Sequence, residues 1–161
     1  LNHFRFLVYT LDTEIIRNCD ENGKLPIHIA SQNNAPVEVL SMLVDIDPAT
    51  VHISDHAGAL PLHDCCCGVV DDSIVRFLVE QGGVGTLAAR TREGDLPLHI
   101  LCRSTNPTLQ TVQFMTRSFP GSVTARTNAG QYPFMIAASS TASLCVVYKL
   151  VRANPELATL H

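Results

Sequence analysis

The segment DHAGALPLHDC, residues 55–65, occurs in four related copies along this chain. The other three copies are DENGKLPIHIA at 20–30, TREGDLPLHIL at 91–101 and TNAGQYPFMIA at 127–137. Their glycines are 35, 36 and 36 residues apart, and their prolines keep the same intervals. A fixed period of this length is typical of an array of structural units, each of which buries its apolar face against its neighbours.

Each copy predicts a turn that leads into a short helix. Glycine accepts the positive φ that a tight turn requires, and proline suits the first turn of a helix, where its missing N–H costs nothing. An amphipathic segment follows in every unit and predicts a second, longer helix of about three turns. These segments are VEVLSML, DSIVRFL, LQTVQFM and LCVVYKL, which end at Leu43, Leu78, Met115 and Leu150.

The periodicity predicts one all-α domain that covers the whole chain. We expect four units at 20–54, 55–90, 91–126 and 127–161, preceded at 1–19 by the outer helix of an earlier unit. The chain begins at Leu1 without a signal-peptide pattern, so we expect it to be a fragment of a longer protein.

Composition argues against several classes of function. Of the 161 residues, 46% are apolar and 16% are charged, which favours a packed core over disorder. The net charge is −4 and the basic residues occur singly, which argues against a nucleic-acid partner. No apolar run approaches the roughly 20 residues that a membrane span needs. Three of the six cysteines are consecutive, which favours a reducing, intracellular location, cytoplasmic or nuclear.

The repeated motif resembles the ankyrin repeat, whose hallmark is D-x-x-G-x-T-P-L-H-x-A. The first two copies match it closely, the third nearly so, and the fourth has Met135 in place of the histidine. Leu25, Leu60, Leu96 and Tyr132 replace the threonine of the motif, and the period exceeds the usual 33 residues. The resemblance implies an ankyrin-repeat solenoid of helix pairs. A tetratricopeptide array is the competing architecture, but it lacks the glycine turn before Pro-Leu-His.

The resemblance also implies a protein-recognition module without enzymatic activity, cofactor, metal or small-molecule substrate. In that family the turns and the short inner helices line a concave groove that binds a partner protein. The corresponding positions here are Glu21, Asn22, Lys24, Gln32, Asn33, His56, Ala57, Ala59, Cys67, Gly68, Arg92, Glu93, Asp95, Arg103, Ser104, Asn128, Ala129, Gln131, Ser139 and Ser140. Three cations and three carboxylates balance within this set, which suits a mixed protein surface. Arg92 and Arg103 are the expected anchors.

Two stretches also admit other chemistry. His63 and Cys67 share a helix face as residues i and i+4, which would be half of a zinc site, and Cys67 would be the exposed, reactive thiol. Cys65 and Cys66 occupy positions that are small packing residues in the other copies. The run 82–85, Gly-Gly-Val-Gly, follows a helix rather than a strand, which favours a helix C-cap over a phosphate-binding loop.

The histidines His28, His63 and His99 occur once per unit. They therefore point in parallel rather than converge on one catalytic centre. In the ankyrin family this residue makes structural hydrogen bonds that tie the turn to the helix start and to the neighbouring unit.

The sequence also allows a second class of function. The array would then be a passive spacer, or a regulatory segment of a multidomain protein such as a kinase or a channel.

Overall fold

A computed structural model of the chain describes residues 13–105, 107–140 and 144–153, called the described residues below. They form ten α-helices and two 3-10 helices, and no strand occurs among them. The predicted all-α class is therefore confirmed for this part of the chain. The predicted helix at 1–19 and the end of the last unit fall partly on 1–12 and 154–161, outside the described residues.

The α-helices alternate between short and long along the chain. In order they are α1 (Thr13–Ile16), α2 (Pro26–Gln32), α3 (Val37–Ile46), α4 (Pro61–Cys65), α5 (Asp72–Gly82), α6 (Val84–Ala88), α7 (Pro97–Arg103), α8 (Leu109–Ser118), α9 (Pro133–Ser139) and α10 (Leu144–Ala153). The 3-10 helices are Pro48–His52 and Pro120–Thr124.

The short helices α2, α4, α7 and α9, called the inner helices, each begin at the proline of the motif. The residue before the proline is extended and contributes no side-chain cap. The glycines of the four turns have φ between +77° and +79°, a region that favours glycine over any residue with a Cβ. The motif therefore specifies both the turn and the first residue of each inner helix.

The longer helices α3, α5, α8 and α10, called the outer helices, bury one apolar face each. Leu40 and Val44 are buried on α3, and Val146 and Leu150 on α10, in each case one helical turn apart. Each outer helix packs on the inner helix of its own unit and on the outer helices next to it. Consecutive inner helices also contact each other. One apolar core runs between the two rows of helices from Leu25 to Leu150.

A third short helix follows three of the outer helices, which the sequence did not predict. Gly83 ends α5 with φ +67°, as the expected helix C-cap, but α6 begins immediately after it. The hydroxyl of Thr86 donates to the Gly83 carbonyl at 2.8 Å. Thr50 and Ser122 make the equivalent bond in the two 3-10 helices. This hydroxyl closes a tight turn that directs the chain from each outer helix back to the next glycine turn.

Within the described residues, none of the helices combines the length and the apolar character needed to cross a membrane.

Candidate functional site

The four turns, called tips below, span 20–24, 55–59, 91–95 and 127–131, and the side chain of the first residue shapes each of them. Asp55 Oδ1 accepts hydrogen bonds from the backbone N–H groups of Ala57 and Ala59, both at 2.8 Å. In the third tip the Thr91 hydroxyl accepts from the Asp95 N–H at 3.2 Å. These bonds satisfy backbone N–H groups within the tip, so the side chains that follow its first residue project outward.

Neighbouring tips are joined through their backbones. The His56 N–H donates to the Asn22 carbonyl at 2.9 Å, and the Arg92 N–H donates to the Ala57 carbonyl at 2.8 Å. The third and fourth tips are joined in the same way. The four tips therefore form one continuous row with a fixed spacing.

Two of the three motif histidines, His28 and His63, join neighbouring units a second time. His63 is 2% exposed; its Nδ1 accepts from the Leu60 N–H at 3.0 Å, and its Nε2 donates to the Asp95 carbonyl of the next tip at 3.3 Å. His28 repeats both bonds, to the Leu25 N–H and to the Ala59 carbonyl of the next tip, whereas His99 accepts from the Leu96 N–H and donates to the Ala125 carbonyl of its own unit. Burial lowers the pKa of all three imidazoles, and a ring that accepts at Nδ1 and donates at Nε2 is neutral. The expected bond to the helix start is confirmed for all three histidines, and the expected bond to the neighbouring unit is confirmed for His28 and His63.

A single open groove of about 710 Å³ lies along the first three tips and the helices α4 and α7. Ten of the twenty predicted binding residues line it: Asn22, Lys24, His56, Ala57, Ala59, Cys67, Arg92, Glu93, Asp95 and Arg103. Residues from three different units are thus brought to one surface.

The other ten predicted residues do not line this groove: Glu21, Gln32, Asn33, Gly68, Ser104, Asn128, Ala129, Gln131, Ser139 and Ser140. Gln32 lies beside it, because its Oε1 accepts from Lys24 Nζ at 3.0 Å. Ser104 is buried, and its hydroxyl donates to the Leu101 carbonyl at 2.7 Å. The fourth tip meets the third through the Asn128 side chain, which donates to the Arg92 carbonyl.

The groove also contains Asp64, which was not among the binding residues predicted from the sequence. It is 7% exposed, and its Oδ1 accepts from Lys24 Nζ of the preceding unit at 2.6 Å. Its Oδ2 is buried and has no hydrogen-bond partner, and burial raises the pKa of this carboxyl. A sequence signal was present, because the other copies carry isoleucine at the same position.

The two expected arginine anchors differ in the structure. Arg103 forms a forked contact with the Asp95 carboxylate at 3.1 and 3.3 Å, and Asp95 is 5% exposed. Arg92 is exposed, and its side chain makes no hydrogen bond or ion pair within the described residues. Arg92 is therefore the groove arginine whose charge is not paired with any described side chain.

The cysteine-rich stretch divides into buried and exposed thiols. Cys65, Cys66 and Cys102 are buried, and burial raises the pKa of Cys102 to about 12, so this thiol stays protonated. Cys67 is exposed and lines the groove, as predicted. Both ring nitrogens of His63 are occupied by hydrogen bonds, which argues against a zinc site with Cys67. No group of three or more metal-ligating side chains is found in the described part of the chain.

Comparison with known proteins finds no matching protein-family model and no matching curated protein.

Proposed function

We propose that the chain is an ankyrin-type solenoid that binds a partner polypeptide in the groove along its first three tips, and that it has no catalytic activity of its own. The observation that carries this proposal is the convergence of three units on one open groove. The buried thiols beside this groove suit a reducing, intracellular compartment.

The volume and shape of the groove favour a short polypeptide segment. About 710 Å³ lies within the usual range for ligand pockets, roughly 300–1,000 Å³, but the groove is open along its length. Its floor is rigid, because Lys24 is paired with Asp64 and Arg103 with Asp95. A rigid site lowers the conformational cost of binding.

The charges of the groove favour a partner of mixed polarity. Its lining holds the three cations Lys24, Arg92 and Arg103 and the four carboxylates Asp55, Asp64, Glu93 and Asp95. Two of the cations, Lys24 and Arg103, form ion pairs, and the Asp55 carboxylate accepts hydrogen bonds from backbone N–H groups. Arg92 and Glu93 therefore present one free charge of each sign, which suits a peptide with both charged and apolar side chains.

The test is selection of a displayed random-peptide library on the immobilised chain, followed by affinity measurement for the selected peptides. Arg92→Ala should weaken their binding about tenfold, as loss of an interface arginine often does. Cys67→Tyr should also weaken binding, because the ring fills the groove. Arg76→Ala, an exposed arginine on the outer helix α5, is the matched control.

The melting temperature of each variant must stay unchanged for this comparison to count. Selected peptides that bind the Arg92→Ala and Cys67→Tyr variants normally, and lose affinity for the Arg76→Ala variant, would show that the groove is the wrong face.

A further inference from the structure

A second concave site lies on the opposite side of the helix pairs, between the outer helices α8 and α10. This outer pocket has a volume of about 350 Å³. Its charged lining consists of Arg117, Lys149 and Arg152, and none of the described carboxylates lines it. In the described part of the chain, no ion pair joins any of these three cations to an acidic side chain.

The fold creates this cluster from residues that are isolated in the sequence. Arg117 lies in the last turn of α8, whereas Lys149 and Arg152 lie three residues apart, and therefore on one face, of α10. Because α8 and α10 pack side by side, the three cations line one pocket. The fold thus gathers three cations at one place in a chain whose net charge is −4.

The basic surface continues onto the second unit. Arg117 also lines a neighbouring pocket of about 400 Å³, together with Arg76 and Phe114. The Arg76 guanidinium lies over the Phe114 ring, 4.5 Å from its centroid, which holds it between α5 and α8. Glu80 lies one turn from Arg76 on α5, so the cationic character is strongest at the outer pocket itself.

We propose that the outer pocket binds an acidic peptide segment of a partner protein, with carboxylates of the segment paired to Arg117, Lys149 and Arg152. Adjacent packed helices lie about 8–10 Å apart, so the surface from α5 to α10 spans about 20 Å. An extended peptide advances about 3.3 Å per residue, so roughly six residues cover that span.

The lining of the pocket favours a peptide over a nucleic acid. Pro120, Val123 and Ala153 provide apolar contacts for the stems of acidic side chains. No aromatic ring lines the pocket, whereas single-stranded nucleic acids are usually held by bases stacked on aromatic side chains. The groove on the other face has more carboxylates than cations, so an acidic segment is directed to the outer pocket.

The test is fluorescence polarisation of a labelled octaglutamate peptide titrated with the full chain at low salt. Octaglutamate should bind, binding should weaken as salt is added, and an octaglutamine peptide should not bind. Arg117→Gln should weaken octaglutamate binding about threefold, and the triple variant Arg117→Gln, Lys149→Gln, Arg152→Gln should abolish it. Arg92→Gln, which removes one exposed charge from the groove, is the matched control and should leave binding within about 1.5-fold.

Several results would overturn the proposal. One is the absence of octaglutamate binding, and another is an equal loss from Arg92→Gln and Arg117→Gln, which would reveal only an effect of overall charge. Tighter binding of an eight-residue oligouridine with the same dependence on Arg117 would identify the ligand as nucleic acid. The groove and the outer pocket use different residues, so either test can fail without the other.

Discussion

The first three units and the fourth begin their inner helices in the same way but are held by different contacts. In the first three, a buried histidine accepts from the N–H at the helix start and donates to a carbonyl, which lies in the following unit for His28 and His63 but in the same unit, at Ala125, for His99. In the fourth, Met135 takes that position, is 43% exposed and forms neither bond. There Arg126 instead lies over the Tyr132 ring, 4.6 Å from its centroid, and Tyr132 stacks on Phe134. The proline is thus sufficient to start the helix, whereas the histidine adds a bond at the helix start and, at His28 and His63, couples one unit to the next.

The largest expected effect comes from removing one coupling histidine. His63→Ala leaves the Leu60 N–H without its partner, removes one of the two donors to the Asp95 carbonyl and opens a cavity in a buried site. We expect the free energy of unfolding to fall by about 3 kcal/mol. Met135→Ala, at the equivalent exposed position, should cost less than about 1 kcal/mol. Urea denaturation of both variants measures the difference, and equal losses would show that the histidine does not couple the units.

The tips provide a second contrast of the same kind. A Cβ on Gly94 would lie 2.8 Å from the backbone nitrogen of Asn128, whereas no described atom lies within 4 Å of a Cβ on Gly130. Both glycines have positive φ, so alanine at either site costs about 1 kcal/mol in backbone strain. Gly94→Ala should cost at least about 1 kcal/mol more, because the fourth tip must move. Thermal unfolding of the two variants tests this, and a larger loss at Gly130 would contradict the tip contacts.

The histidines should also make stability depend on pH. The fold keeps His28, His63 and His99 neutral through a lowered pKa, whereas the unfolded chain binds protons near pH 6.5. The unfolded state therefore binds more protons, and the free energy of unfolding should fall as the pH is lowered from 7.5 to 5.5. The limit is about 1.4 kcal/mol per pH unit for each histidine. The Asp64 carboxyl, whose pKa is raised, has the opposite effect at lower pH: its protonation increases the free energy of unfolding as the pH falls.

Denaturation at several pH values checks this dependence. His63→Gln should reduce the pH-dependent loss by about one third, since one of three equivalent groups is removed. Met135→Ala should leave the dependence unchanged. Stability that is constant or rises from pH 7.5 to 5.5 would mean that the imidazoles are not held neutral.

The smallest expected effect comes from transferring the histidine to the fourth unit. In Met135→His, the new Nδ1 can accept from the Tyr132 N–H, as in the other units. We expect the free energy of unfolding to rise by about 0.5 kcal/mol, the lower end of the range for one net hydrogen bond. A second bond is not expected, because no carbonyl among the described residues is placed to accept from the new Nε2. A loss of stability on urea denaturation would show that the fourth helix start differs from the others in more than this side chain.

The sequence predicted those features that recur with its own period. Pro26, Pro61, Pro97 and Pro133 marked the first residue of every inner helix, because proline fits only the first turn. The exposure of Cys67 and the burial of its two neighbours followed from alignment with small residues in the other copies. The hydroxyls of Thr50, Thr86 and Ser122 recur 36 residues apart and would have predicted the third short helix.

Contacts between units could not be predicted from the periodicity of the sequence. The Lys24–Asp64 ion pair joins residues 40 positions apart and occurs once, so the periodicity of the sequence does not predict it. Arg103 looked like a free anchor, although its guanidinium lies on Asp95 eight residues earlier. Arg117, Lys149 and Arg152 looked like scattered single charges, because only the packing of α8 on α10 places them together.

A neutral imidazole holds the helix start in each of the first three units, and in the first two it also couples the unit to the next. Long-range ¹H–¹⁵N correlation spectra of the histidine side chains at pH 7 test it most directly. His28, His63 and His99 should each show a neutral ring protonated at Nε2 alone. Rings protonated at Nδ1, or charged rings at these three positions, would contradict the coupling and the arrangement of units built on it.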